Sequence, residues 1–186
     1  AGCTGTGLMS LRSPAVLVLE DGTAFHGESI GAPGSTAGEV VFNTAMTGYQ
    51  EILTDPSYAR QIVALTYPHV GNTGVNLEDE EAGKVFASGL VVRDVPPRLS
   101  NWRSERDLPS YLQEKGIVAI AGVDTRQLTR KLRTFGAQRG ALIAGEEAAT
   151  GASVGLGKAM AREFPGLEGM DLATEVTVAQ AYRWAE

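Results

Sequence analysis

The run Asp55-Pro56-Ser57-Tyr58 places a carboxylate, a fixed turn, a hydroxyl and a phenol in four consecutive residues. Proline fixes one backbone angle, and Ser57 beside it offers a hydroxyl that both donates and accepts hydrogen bonds. Such a corner suits an amino-acid head group, which presents a carboxylate and an ammonium together. The competing reading is an Asx or Ser turn that caps only its own backbone, and spacing alone favours that turn.

Other residues with chemical potential find less support. A nucleophilic cysteine needs a strand before it and a helix after it, so that the thiolate stands on an exposed turn. Cys3 has two residues before it and a Gly/Thr-rich run after it, so it reads as an incidental thiol in a leader. As the single cysteine it also excludes an internal disulfide framework and a Cys-based zinc cluster. His26 and His69 lie far apart with no carboxylate at ligand spacing, and each reads as a packed or surface histidine. The basic set Arg126, Arg130, Lys131, Arg133 and Arg139 is different: Arg126, Arg130 and Arg133 fall at helical spacings of four and three. Phosphate binding is one reading of that face; a solvated face or an arginine-rich partner interface is favoured over it in an acidic chain. The glycine-rich stretch 31–38 has no Gly-Lys-Ser/Thr ending, so it is read as a loop and not as a phosphate cradle.

The totals set the frame for these residues. A chain of 186 residues is long enough for one domain with a proper core plus a small extension. A net charge of -6 argues against a nucleic-acid binder, whose footprint would be basic. Twenty-three glycines point to tight turns and close backbone approaches. There is no run of eighteen apolar residues, hence no expected membrane span. The simplest reading is a cytoplasmic, metal-free protein.

The elements that must position the corner follow from local pattern. Residues 16–20 form an apolar strand closed by the hairpin signal Asp21-Gly22, with 23–30 returning. Residues 39–44 read as a strand, and Thr47-Gly48-Tyr49-Gln50 as a capping box before a short helix that Asp55-Pro56 ends. Residues 61–67 are a near-continuous apolar run, as for a strand buried on both faces, and 86–93 is a further strand candidate. Residues 78–81 are an acidic, solvated segment. In the second half a helix over 107–115 is closed by Gly116, a buried strand spans 117–121, and Asp124 opens a second capping box. Leu128, Leu132 and Phe135 then share one helical face, stopped by Gly136. A strand over 141–144, a helix over 153–164 broken by Pro165-Gly166, and a helix near 178–184 complete the chain. Strands crowd the first half and strand-helix alternation fills the second, which gives a mixed α/β class with a partly layered sheet.

Several runs together carry a resemblance. Leu17-Val-Leu-Glu-Asp-Gly-Thr23, Gly38-Glu-Val-Val-Phe-Asn-Thr44, Met46-Thr-Gly-Tyr-Gln-Glu-Ile-Leu-Thr-Asp-Pro-Ser-Tyr58 and Leu65-Thr-Tyr-Pro-His-Val-Gly-Asn72 resemble the small, glutamine-hydrolysing subunit of carbamoyl-phosphate synthase. So do Gly122-Val-Asp-Thr-Arg-Gln-Leu-Thr-Arg130, Gly136-Ala-Gln-Arg-Gly140 and Phe164-Pro-Gly-Leu-Glu-Gly-Met-Asp-Leu172. The resemblance runs from about Ala15 onward, in long stretches that keep their order.

This resemblance implies a three-layer β/β/α amino-terminal domain followed by a class I glutamine amidotransferase domain. A Cys-His-Glu triad in the latter hydrolyses glutamine through a thioester. The ammonia passes to a large subunit, where ATP and magnesium support carbamoyl phosphate synthesis for arginine and pyrimidine production. Residues 1–13 are then expected to be a leader, with Met9 near the natural start. Residues 14–163 would be the amino-terminal domain, and 164–186 a connector toward the amidotransferase domain. No nucleophile elbow, triad histidine or triad glutamate is read in these residues, so the chain alone is expected to be inactive. It would dock the large subunit as one half of a heterodimer and wall one side of the L-glutamine pocket. The serine of the family's Asp-Pro-Ser-Tyr corner contacts glutamine, and that position is Ser57 here. The alternative is a stand-alone, non-catalytic interaction module of the same fold. A weaker one is an α/β enzyme built around the basic helix and acting on phosphorylated small molecules.

Overall fold

Asp21 and Gly22 turn the chain back on itself in the computed structural model, which describes residues 13–72, 74–75, 84–96 and 106–178. Strand β1 (Pro14–Leu19) enters that turn and β2 (Ala24–Ser29) leaves it, paired antiparallel. Gly22 has φ 94, which a side chain would resist, and Asp21 accepts the Thr23 N–H at 2.9 Å. Strand β3 (Gly34–Asn43) follows, then α1 (Tyr49–Thr54) and a 3-10 turn over Pro56–Tyr58. Next come β4 (Gln61–Leu65), β5 (Gly89–Val91), α2 (Leu108–Glu114), β6 (Val118–Ala121), α3 (Thr125–Phe135) and β7 (Gln138–Ala144). A 3-10 turn over Glu146–Ala149, α4 (Ser153–Glu163) and α5 (Leu172–Val176) complete the described chain.

The strands close into a barrel in the order β1-β2-β6-β5-β4-β3-β7, and β7 returns to β1. Neighbours β3, β4, β5 and β6 run parallel, while the remaining pairs are antiparallel. The mixed α/β class expected from the sequence holds, and its sheet closes on itself.

Strand periodicity explains where the core sits. Alternate side chains point to opposite faces. Leu17, Leu19, Val40, Ile62, Ala64, Val91, Val118, Ile120 and Leu142 form one interior cluster, which Leu128 and Leu132 of α3 join. The intervening residues Val63, Leu65, Leu90 and Ala119 face outward beneath α1 and α2, against Tyr49, Ile52, Leu53, Leu108 and Leu112. Val16, Val18 and Ile143 face outward on the other side, beneath Val154 and Met160 of α4. Both faces of β4 are thus covered, which is why the residues after Gln61, Ile62 to Leu65, are apolar and buried without a break.

Four local expectations change. The glycine-rich stretch 31–38 is not a loop throughout, because β3 begins at Gly34 and pairs with β7 along its length. Its glycines serve close approach: Gly38 lies opposite Gly140, and a Cβ on Gly140 would stand 2.4 Å from Val40 Cγ2. The capping box at Thr47 does not form. Gly48 takes the N-cap position of α1 with φ 79 and no side-chain cap bond, so glycine's backbone freedom replaces the hydroxyl. Phe135 does not share the buried face of Leu128 and Leu132; it is 68% exposed at the last turn of α3. Finally, α5 was not expected, and Asp171 caps it by accepting the Thr174 N–H at 3.2 Å. The acidic run 78–81 and most of the helix expected at 178–184 lie outside the described residues.

Candidate functional site

The Asp55 corner is built by two successive helical turns that share one residue. Asp55 ends α1 in an extended conformation and is also the N-cap of the 3-10 turn over Pro56–Tyr58. Its Oδ1 accepts the Ser57 N–H at 2.8 Å, and its carbonyl accepts the Tyr58 N–H at 3.0 Å. The Asx-turn reading is therefore correct for Asp55. It leaves Ser57 exposed, with no hydrogen-bond partner for its hydroxyl among the described residues. Tyr58 is tied back to the barrel: its hydroxyl accepts from Asn43 Nδ2 at 2.8 Å, and Asn43 Oδ1 accepts the Ala45 N–H at 2.7 Å. Ala59 bridges to Ala87, and Arg60 takes a left-handed conformation with φ 61 as the chain turns into β4. Arg60 Nε donates to Glu175 of α5 at 3.0 Å, so the carboxyl-terminal described helix is anchored beside this corner. A rigid backbone thus presents one outward hydroxyl.

A second site emerges that the sequence showed only in part. Thr66 and Pro68 follow β4, Arg93 follows β5, and Thr125 opens α3 just after β6. Together with Arg126, Thr129, Arg130 and Arg133 of α3 they line a cleft of about 490 Å³. Asp124 caps α3 by accepting the Gln127 N–H at 2.9 Å, which holds the first turn of the helix at the cleft. Backbone bonds fix the other walls: Gly122 N–H donates to the Arg93 carbonyl at 2.9 Å, and Thr66 N–H to the Asn43 carbonyl at 3.0 Å.

The structure therefore divides the basic set. Arg126, Arg130 and Arg133 face the cleft together. Lys131 turns away and donates to Asp21 Oδ2 at 2.5 Å, a bond that holds the Asp21 carboxyl down at about 2. Arg139 Nε donates to Glu20 Oε2 at 2.8 Å and Arg139 Nη1 to the Phe164 carbonyl at 3.3 Å, so it braces β7 against the turn after β1 and the end of α4. Arg93, Thr66 and Thr125 were missed in the sequence because their proximity depends on strand order. The usable signal was the rule that ligands gather beyond the carboxyl ends of parallel strands.

The remaining candidates occupy separate places. His26 is exposed on β2, and His69 Nδ1 lies 3.5 Å from Asp94 Oδ2 on the surface. Among the described residues no three His, Cys, Asp or Glu side chains converge on a cation position, and no helix is long and apolar enough to cross a membrane. Cys3 lies outside the described residues.

Comparison with known proteins adds what geometry alone does not. The small chain of carbamoyl phosphate synthase from Thioalkalivibrio sulfidiphilus is 66% identical over 174 residues, covering 94% of this chain and 45% of the relative. That of Escherichia coli is 63% identical over 172 residues, covering 92% of this chain and 44% of the relative. The chain thus spans less than half the length of these curated relatives. Among solved structures, an aminopeptidase from Aneurinibacillus sp. strain AM-1 overlaps 73% of this chain and 31% of its own at 15% identity, with a TM-score of 0.40. That likeness is too slight to bear on function. The family model for the carbamoyl-phosphate synthase small chain, CPSase domain, matches residues 17–142. With both β4 and the Asp55 corner inside that span, the chain belongs to the carbamoyl-phosphate synthase small chain family.

Proposed function

We propose that this chain acts as the amino-terminal part of a glutamine-dependent carbamoyl-phosphate synthase small subunit. On this reading it docks the large subunit, and Ser57 walls one side of the glutamine pocket. On this reading the catalytic Cys-His-Glu triad belongs to the small subunit's amidotransferase domain. Glutamine hydrolysis there yields glutamate and ammonia. The ammonia passes to the large subunit, where ATP and magnesium drive carbamoyl phosphate formation for arginine and pyrimidine synthesis. The reading places the protein in the cytoplasm. It also carries the three-layer β/β/α arrangement of the family, in which the two sides of the closed sheet would supply the β layers.

The observation that supports this reading is the outward Ser57 hydroxyl on a backbone that Asp55 and Tyr58 hold from both sides. Donating to a carboxylate or accepting from an ammonium is what such a group does, and a hydrogen bond to a charged partner contributes about 1.5–3 kcal/mol. The test uses the complete small subunit assembled with its large subunit. Ser57→Ala should raise the glutamine KM by about tenfold or more while leaving synthesis from added ammonia unchanged. An unchanged glutamine KM would remove Ser57 from the pocket. The 186-residue chain by itself should show no glutaminase activity. Hydrolysis that disappears on Cys3→Ala would overturn that expectation.

A further inference from the structure

Four arginines, Arg93, Arg126, Arg130 and Arg133, line one cleft in a chain whose formal net charge is -6. Among the described residues none of the four forms an ion pair or a side-chain hydrogen bond, although Lys131 and Arg139 close by are both neutralised. The nearest carboxylates in sequence are engaged elsewhere: Asp124 caps α3, and Asp94 lies against His69. Like charges at i, i+4 and i, i+3, as in Arg126–Arg130 and Arg130–Arg133, destabilise a helix by about 0.2–0.5 kcal/mol each. The folded protein bears that repulsion without an internal partner. An anion from outside would relieve it.

The shape narrows the class of anion. A concavity of about 490 Å³ is in the range of small-molecule sites. It opens beyond the carboxyl ends of the parallel strands β4 and β5, at the start of the helix that follows β6, where ligands of parallel α/β sheets gather. Thr66 and Thr125 bring hydroxyls to its lining between the arginines, while the Thr129 hydroxyl is engaged with the Thr125 carbonyl at 2.7 Å. Planar guanidinium forks grip phosphate oxygens in pairs, and threonine hydroxyls complete such a shell.

We propose that this cleft binds a phosphorylated small molecule, one carrying a diphosphate or at least two phosphate charges. This goes beyond the reading given for Ser57, which does not line the cleft, so either can fail without the other.

The test is calorimetric titration of the whole chain with inorganic pyrophosphate at fixed ionic strength. Wild-type protein should bind one equivalent. The double variant Arg126→Gln/Arg130→Gln should bind at least about tenfold more weakly. Arg162→Gln, whose Nε donates to the Glu20 carbonyl away from the cleft, and Ser57→Ala should bind as wild type. Melting curves check that the exposed cleft variants remain folded. Three results would overturn the proposal: no one-to-one binding by wild type, equal binding by the double variant, or a hexaglutamate peptide that binds more tightly than pyrophosphate. The last would reassign the face to an acidic protein partner.

Discussion

Removing the Asp55 carboxylate would leave the Ser57 N–H without its acceptor and α1 without a defined exit into the next turn. Asp55→Ala should therefore cost about 0.5–2 kcal/mol in a denaturant titration, the usual cost of losing a cap. Ser57→Ala should stay within about 0.5 kcal/mol of wild type, because the hydroxyl points outward and holds nothing in the fold. Equal losses in the two variants would mean that the hydroxyl is structural. The same corner shows what the sequence could convey at this scale. The Asx turn was legible because Asp, Pro and Ser impose it locally, whatever the surroundings. Arg60 was not: its left-handed backbone and its bond to Glu175 depend on where β4 and α5 come together.

Helix α3 separates three tasks along its circumference. Leu128 and Leu132 enter the barrel cluster, Arg126, Arg130 and Arg133 line the cleft, and Lys131 reaches Asp21 in the β1–β2 turn. The cap at Asp124, the leucine spacing and the stop at Gly136 were all local signals, so the helix was legible in outline. The exposure of Phe135 and the contribution of Arg93 were not, since both depend on neighbours distant in sequence. The Lys131–Asp21 tie has a pH signature. Its hydrogen bond holds Asp21 at about 2, below the ordinary 3.8, so the native state favours the charged carboxylate. A depressed carboxyl stabilises the fold above its ordinary value and loses that contribution as pH falls through the lowered one. Because both side chains are partly exposed, the contribution is no more than about 1 kcal/mol. In urea titrations, wild type should exceed Asp21→Asn by that margin at neutral pH, and the gap should close between about pH 4 and pH 2. A gap that persists in acid would show that the ion pair is not its source.

The barrel as a whole closes through unequal seams. Strand β3 pairs with β7 over seven residue positions, whereas β2 itself meets β6 through Glu28↔Ala121 and Ser29↔Ile120, a junction that Ile30 N–H to the Ala119 carbonyl at 3.0 Å and Ala32 N–H to the Ile117 carbonyl at 2.8 Å carry on beyond β2. No local pattern announces such a closure, because the paired strands are separated by three others in the chain; sequence order gave the mixed α/β class but not the closed sheet. Gly27 sits at this short seam. A Cβ there would stand 2.1 Å from the Ala121 carbonyl oxygen, a backbone atom that cannot swing aside. Gly27→Ala must therefore push β2 away from β6 and strain the short strand pairing there. Overpacking of this kind costs about 1–3 kcal/mol where side chains can adjust, and a clash with a backbone carbonyl should reach the upper end or prevent folding. Gly155 in α4 is the matched control: its added Cβ would meet nothing within 4 Å, in the exposed first turn of the helix. Gly155→Ala should stabilise by about 0.5–1 kcal/mol through the lower entropy of the unfolded chain. Thermal melts of the two variants should thus move in opposite directions from wild type. If Gly27→Ala melts with wild type, the β2–β6 seam is not the joint that holds the barrel closed.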